Sequence, residues 1–342
     1  MCETFLEQVE LFNVGNVEKT MFGYALERLP REVYKDVSCY GSMVATMSSG
    51  CEIRFVREDP NSWVRVTMFA EMSQGYVPVV LMRGEHVEKV HMLPPSQYYT
   101  IEVSPHPYDK TENPEFFKTD CFDKSVIRLV LGSARINVCQ IEAYGKTIRP
   151  PKAEEIPQKT ILAYGSSVTN GAHGLLGTSF YVSVTARILK AQVLNKGMGG
   201  SCLKEPCLVD WITSLPNDYF IFEPGTNMYG EYENEEIYQR SMYVLEQYYQ
   251  KHPDKYVFLL EPPMPNQAAG EPEKYQALVE TVHRMHRDIN QKNCILVGRE
   301  QYQPDPSYVM IDKIHPTTEG HVLMGCHLAE VIRKQFEKDG VL

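Results

Sequence analysis

The chain has no excess of positive charge, no long apolar run and no ordered cysteine pattern, and each absence removes a class of function. Its formal net charge is −10. A nucleic-acid surface needs a basic stripe, so a neutral, polar substrate fits better than a nucleic acid or an anionic membrane. No uninterrupted apolar run approaches the ~20 residues of a membrane helix, and no membrane partner is expected. The first residues, Met1-Cys2-Glu3-Thr4-Phe5-Leu6-Glu7, lack the basic segment and apolar core of a secretory signal. The nine cysteines are odd in number and scattered, and the nearest pair, Cys202 and Cys207, fits no common zinc spacing. These features read as reduced thiols in a cytoplasmic protein, with Cys202 and Cys207 as packing residues. Internal repeats and low-complexity tracts are also absent.

What is present points to two domains. A length of 342 residues exceeds what one compact domain usually holds, and 43% hydrophobic with 23% charged residues is ordinary for a globular chain. The expected division is 1–155 and 156–342. Residues 1 to about 30 mix apolar and acidic positions and read equally as a short helix or an edge segment. From Val33 to Gly145 the pattern is that of strands, with short runs at 42–47, 51–56, 64–69, 77–82, 99–103, 125–131 and 136–141 separated by turn residues such as Ser48-Ser49-Gly50. Strands at this spacing predict an antiparallel β-sandwich or jelly roll. Arg149-Pro150-Pro151-Lys152-Ala153-Glu154-Glu155-Ile156-Pro157 then reads as a stiff, extended linker.

After the linker the period changes. Strand-like runs at 160–164, 192–195, 219–222, 256–260 and 294–297 alternate with helical segments near 178–190, 206–214, 235–251, 273–290 and 317–338. That alternation predicts an α/β domain with a doubly wound parallel sheet. Ligands of such sheets bind at the carboxyl edge of the strands. There the sequence places small polar groups: Gly165-Ser166-Ser167 after the first strand, Asn195-Lys196-Gly197-Met198-Gly199-Gly200 after the second, and Glu223-Pro224-Gly225-Thr226-Asn227 after the third. A last loop carries Asp312-Lys313-Ile314-His315-Pro316.

This order of blocks resembles the GDSL, or SGNH, hydrolase superfamily over roughly 156–342. The family's Gly-Asp-Ser is matched by Gly165-Ser166-Ser167, with Ser in place of Asp. The second block's glycine is matched by Gly200. Gly-x-Asn is matched by Gly225-Thr226-Asn227, with Met228 where Asp often follows, and Asp-x-x-His is matched by Asp312 and His315. The resemblance implies that Ser167 is the nucleophile, His315 its general base and Asp312 the group that fixes the histidine tautomer. It also implies an oxyanion hole of the Ser167 and Gly200 backbone N–H groups and the Asn227 amide. Losing one such donor typically costs about 3–4 kcal/mol of transition-state stabilisation. This mechanism needs neither metal nor organic cofactor. Taken singly, each block has a plainer reading: Gly-Ser-Ser as a turn, Gly-Gly as a loop, Asp312 and Thr317 as caps of a helix start.

A sandwich ahead of such a domain is similar to the two-domain carbohydrate esterases, among them family 2 acetyl-xylan esterases. This is a fold-level analogy. It implies removal of O-acetyl groups from sugars or short oligosaccharides. The same site would equally serve a short-chain lipase, a thioesterase or an acyltransferase. An inactive sugar-binding protein is the alternative from another class. A sandwich also offers edges and faces for self-association, so a homo-oligomer stays open. Among other candidates, His283 and His286 share a helix but show no carboxylate or cysteine partner, and read as a solvated face. His321 and His327 follow His315 at intervals that keep no single helix face. The acidic run Glu231–Glu236 reads as a solvated helix start suited to the dipole. Trp211 and Tyr229 are sugar-stacking candidates, with core packing equally open for Trp211.

Overall fold

The structure, a computed structural model, describes residues 5–71, 73, 75–110, 112–113, 115–263 and 271–341. The chain folds into two compact units. One holds the residues up to Pro30, Thr46–Gln158 and Leu175–Thr178. The other holds Arg31–Ala45, Lys159–Gly174 and the residues from Ser179 onward.

The first unit is built from β1 (Glu10–Phe12), β2 (Asn16–Thr20), β3 (Gly23–Glu27), β4 (Glu52–Arg57), β5 (Val64–Glu71), β6 (Val77–Arg83), β7 (His86–Leu93), β8 (Tyr98–Val103), β9 (Val126–Leu131), β10 (Arg135–Glu142) and β11 (Ile148–Arg149). Two sheets form, in the orders β1-β4-β9-β6-β7, with β11 also on β4, and β2-β3-β10-β5-β8. Every pairing between these strands is antiparallel. Alternate residues explain why the sheets face each other. Ile53 and Phe55, Val79 and Leu81, and Ile127 and Leu129 of one sheet join Val64, Val66, Ile101, Val103, Ile136 and Val138 of the other in a single core. The antiparallel sandwich expected from the strand spacing is therefore present.

Two details depart from the sequence pattern. No strand forms at 42–47: α1 (Arg31–Tyr34) is followed by α2 (Cys39–Ala45), which takes in residues 42–45 of that run. A run this short fits either period, and the capping decides it. Ser38 Oγ accepts the N–H of Gly41 at 3.0 Å, and Gly41, Val44 and Ala45 bury one helical face. The strand β7 was not signalled, because as an edge strand it breaks the alternation, with Val87, Lys89, Val90 and Met92 all exposed. The N-terminal segment that read equally as a short helix or an edge segment holds, among its described residues, a single 3-10 turn at Leu6–Gln8 followed by β1 to β3. The proline-rich linker is pinned at both ends, with Arg149 donating to both Glu155 oxygens at 2.8 and 2.6 Å.

The second unit alternates strands and helices: β12 (Lys159–Tyr164), α3 (Ser167–Asn170), α4 (Tyr181–Ile188), β13 (Ala191–Asn195), α5 (Pro206–Ile212), β14 (Tyr219–Phe222), α6 (Asn234–Lys251), β15 (Tyr256–Leu260), α7 (Pro272–Ile289), β16 (Cys294–Val297), α8 (Arg299–Tyr302) and α9 (Thr318–Lys338). The strands form one parallel sheet in the order β13-β12-β14-β15-β16. Each strand is apolar on both faces, as a sheet covered on both sides requires. Ile161, Ala163, Ile221 and Phe258 pack with Tyr181, Val182, Met324, Leu328 and Ile332 of α4 and α9. On the opposite face Phe220 lies 4.8 Å from the ring of Tyr248 in α6. The strand order reverses between β12 and β14, which is where an open α/β sheet leaves a crevice at its carboxyl edge.

Candidate active site

The two serines at the end of β12 have separate environments. Ser166 is 1% exposed and caps α3, its Oγ accepting the N–H of Val168 at 3.3 Å. Ser167 is half-buried, with Oγ 2.7 Å from His315 Nε2. The turn between strand and helix leaves no room at Gly165, where a Cβ would meet Thr169 and Glu223. Glu223, just past β14, is almost fully buried, and its Oε2 accepts the N–H of Ser166 at 2.8 Å. Its Oε1 accepts from the Thr226 hydroxyl. Burial pushes the Glu223 carboxyl above its usual range, against the opposing pull of those bonds and of Lys204. This carboxyl thus fastens the end of β14 to the serine turn.

His315 sits in a loop closed on itself. Met310 N–H donates to the His315 carbonyl and Thr317 N–H to the Tyr308 carbonyl, both at 2.8 Å. Thr317 caps α9 through the Gly320 N–H at 3.1 Å. Asp312, by contrast, caps no long helix. Its Oδ1 accepts the N–H groups of Ile314 and His315 at 2.9 and 3.0 Å, and its Oδ2 lies 2.7 Å from His315 Nδ1. Burial raises the Asp312 carboxyl, but these hydrogen bonds outweigh it and hold the group at about 2. The carboxylate is therefore ionised throughout the neutral range.

The remaining residues singled out from the sequence gather at the same edge. Gly199 lies beside Ser167, and Gly200 adopts φ +66°, where an added Cβ would strike the Tyr40 ring. Asn227 is oriented by its Oδ1, which accepts the N–H of Cys202 at 3.1 Å. Its Nδ2, like the backbone N–H groups of Ser167 and Gly200, has no acceptor among the described residues. Met228, where the family pattern often has Asp, is buried with Sδ 3.2 Å from Lys204 Nζ.

Other candidates resolve differently. His283 does have a carboxylate neighbour: its Nε2 is 2.6 Å from Glu261 Oε1, a residue at the end of β15 that helix spacing does not reveal. His286 lies against the Cys294 carbonyl at 3.0 Å, so the two histidines do not converge. Within the acidic run, Glu235 pairs with Arg284 and Glu236 with Arg240. Trp211 is half-buried with Lys196 over its ring, and Tyr229 lies beside Lys274. The eight described cysteines are all free, with Cys202 buried and Cys207 partly so. Three residues to which the sequence assigned no role stand out: Tyr40 against Gly200, His173 near Asp312, and Glu223. Only Glu223 had a visible hint, as the polar residue that ends a strand.

Residues 158–333 match the GDSL-like lipase/acylhydrolase family. The chain belongs to that family. No curated protein matches it by sequence. Among solved structures it is similar to the salicylyl-acyltransferase SsfX3 from a tetracycline biosynthetic pathway, at 15% identity over 98% of this chain and 96% of that one, with a TM-score of 0.75. A family two carbohydrate esterase from Cellvibrio japonicus aligns at 16% identity over 96% of this chain and 95% of that one, TM-score 0.64. An acetyl xylan esterase, Est2A, from the rumen bacterium Butyrivibrio proteoclasticus aligns at 10% identity over 97% and 96%, TM-score 0.58. At these identities the likeness is one of fold, and it extends across both units.

In this GDSL-like acylhydrolase the loop after α3 is secured by a buried histidine. His321 in α9 is fully buried and its Nε2–H donates to the Ala172 carbonyl at 2.9 Å, while Nδ1 has no partner among the described residues. Burial lowers its pKa from 6.5 to about 4, outweighing the bond to Ala172. The folded state therefore resists a proton that the unfolded chain accepts, and stability is lost as pH falls from about 6.5 towards 4. At pH 4.5 the loss should reach ~2.5 kcal/mol relative to pH 7. His321→Gln keeps a neutral donor, so urea unfolding of that variant should show a decline smaller by this amount. Parallel declines in the two proteins would remove His321 as the source.

Proposed function

We propose that this GDSL-type acylhydrolase is a serine esterase that removes O-acetyl groups from carbohydrate. The observation that carries the reading is the unbroken chain from Ser167 Oγ through both nitrogens of His315 to Asp312 Oδ2, with 2.7 Å at each hydrogen bond. His315 Nε2 takes the Ser167 proton as Oγ bonds to the acetyl carbonyl carbon. The carbonyl π pair moves onto oxygen, where the Ser167 and Gly200 N–H groups and Asn227 Nδ2 would donate to it. Collapse breaks the bond to the sugar oxygen, which takes the proton from His315 and leaves acetyl-Ser167. Water, deprotonated by the same nitrogen, then releases acetate. Asp312, ionised down to about pH 2, holds Nδ1–H and stabilises the imidazolium.

The carbohydrate half of the proposal is supported by the similarity to family two carbohydrate esterases and an acetyl xylan esterase over nearly the whole chain. The resemblance to an acyltransferase favours a second reading, in which an alcohol acceptor replaces water in the last step. An inactive sugar-binding protein is disfavoured, because binding alone does not call for three aligned triad residues. We place the enzyme in the cytoplasm as part of the proposal, acting on short imported oligosaccharides. Acetate release from acetylated xylo-oligosaccharides should far exceed cleavage of a long-chain acyl ester. The reverse ranking would keep the serine chemistry and discard the carbohydrate substrate. Acyl transfer to an added alcohol at the expense of acetate would establish the second reading.

A further inference from the structure

Asp312 faces two imidazoles, and only one belongs to the hydrolytic chain. Its Oδ2 lies 2.7 Å from His315 Nδ1 and 3.7 Å from His173 Nε2. The two rings are 5.0 Å apart between centres. One ligand atom from each of His173, Asp312 and His315 falls within 4.8 Å of the others, the only such group of metal-binding side chains among the described residues. Ligand atoms around a four-coordinate zinc, at bonds of ~2.0–2.1 Å, stand roughly 3.3 Å apart. The two distances from Asp312 Oδ2, 2.7 Å to His315 Nδ1 and 3.7 Å to His173 Nε2, bracket that spacing.

His173 is placed for this by its backbone. It holds φ +62°, unusual for a residue with a side chain, between the Ala172 carbonyl held by His321 and a reach of 3.5 Å from Thr318 Oγ1 to its own carbonyl. Its ring is 46% exposed and makes no hydrogen bond among the described residues. An ion can therefore arrive from solvent and keep a water in its fourth position. Two imidazoles and one carboxylate suit zinc, cobalt, nickel or copper ions rather than magnesium or calcium.

The geometry points to reversible binding of a zinc-class divalent cation by His173, Asp312 and His315, and to loss of ester hydrolysis when it binds. The loss of hydrolysis rests on the serine-esterase reading; the binding does not. A neutral imidazole has one lone-pair nitrogen. If the metal takes Nδ1 of His315, the ring proton sits on Nε2 and faces Ser167 as a donor. If the metal takes Nε2, the serine loses its acceptor directly. In both cases no base remains for the Ser167 proton, and no oxidation or reduction is involved.

Two measurements test this. Cobalt(II) titrated into the Ser167→Ala protein should develop the intense visible absorption of a four-coordinate ion. The Ser167→Ala/His173→Ala protein should not, and a thiolate-to-cobalt charge-transfer band would put the ion on a cysteine and overturn the proposal. With the wild-type protein, micromolar zinc should suppress hydrolysis. The His173→Ala protein should retain its metal-free activity and need about tenfold more zinc or higher for the same suppression. Equal zinc sensitivity in the two proteins, or none in either, would overturn the site. Cobalt binding without any ester hydrolysis in metal-free wild type would instead sink the esterase reading and leave the metal site standing.

Discussion

Ser167→Ala should lower kcat for acetate release by about 10⁶-fold, leaving the small residual rate that the oxyanion donors and substrate binding can support. The fold should survive, because among the described residues Ser167 Oγ has a single hydrogen-bond partner, His315. The neighbouring serine supplies a built-in control. Ser166 Oγ caps α3 from a buried position, so Ser166→Ala should cost about 1 kcal/mol of stability and far less in rate. Steady-state kinetics and urea unfolding on both variants separate the roles. Substantial turnover by Ser167→Ala would remove the nucleophile and with it the whole acyl-serine scheme.

Asp312→Asn should cost about 10⁴-fold in kcat with little change in KM. The reason lies in which way the new amide must turn. The N–H groups of Ile314 and His315 both donate to Asp312 Oδ1. An asparagine keeps those bonds only with its oxygen on that side, which directs its NH₂ at His315 Nδ1. The imidazole then has to accept at Nδ1 and carry its proton on Nε2, where it meets Ser167 as a donor and cannot act as a base. The acid limb of the wild-type pH–rate profile should show no contribution from Asp312 above pH 4, since its carboxyl stays near 2. A variant retaining a tenth or more of kcat would mean that Asp312 does not set the tautomer.

The strand–helix alternation of the second half, the three blocks at its strand ends and the fourth in the last loop were legible, because period and order along the chain carry them. The joint order of Gly165-Ser166-Ser167, Gly200, Asn227 and Asp312-x-x-His315 named a site that no block would name alone. What stayed hidden came from chain-distant packing. Nothing near Tyr40 in the sequence says that it will meet Gly200, and the run at 42–47 follows both a strand and a helix pattern until Ser38 is seen to cap it. Glu223 was visible only as a polar strand end. Its function as the acceptor for the Ser166 N–H needs the β12–β14 pairing. His321 showed no useful spacing because its partner, the Ala172 carbonyl, is a backbone atom.

The helical excursion at Arg31–Ala45 bears on how such a gene can be cut and recombined. These residues come from between two strands of the sandwich, yet they pack in the second unit, where Ser38 Oγ meets Ser201 Oγ at 3.0 Å beside Gly200. Leu175–Thr178 make the reverse excursion. A fragment starting at the proline-rich segment would lose Ser38, Gly41 and Tyr40 from around the Gly200 turn. The two halves are thus not portable cassettes. Ancestral shuffling of either one would have had to carry a piece of the other, which ties their inheritance together more tightly than a simple tandem fusion.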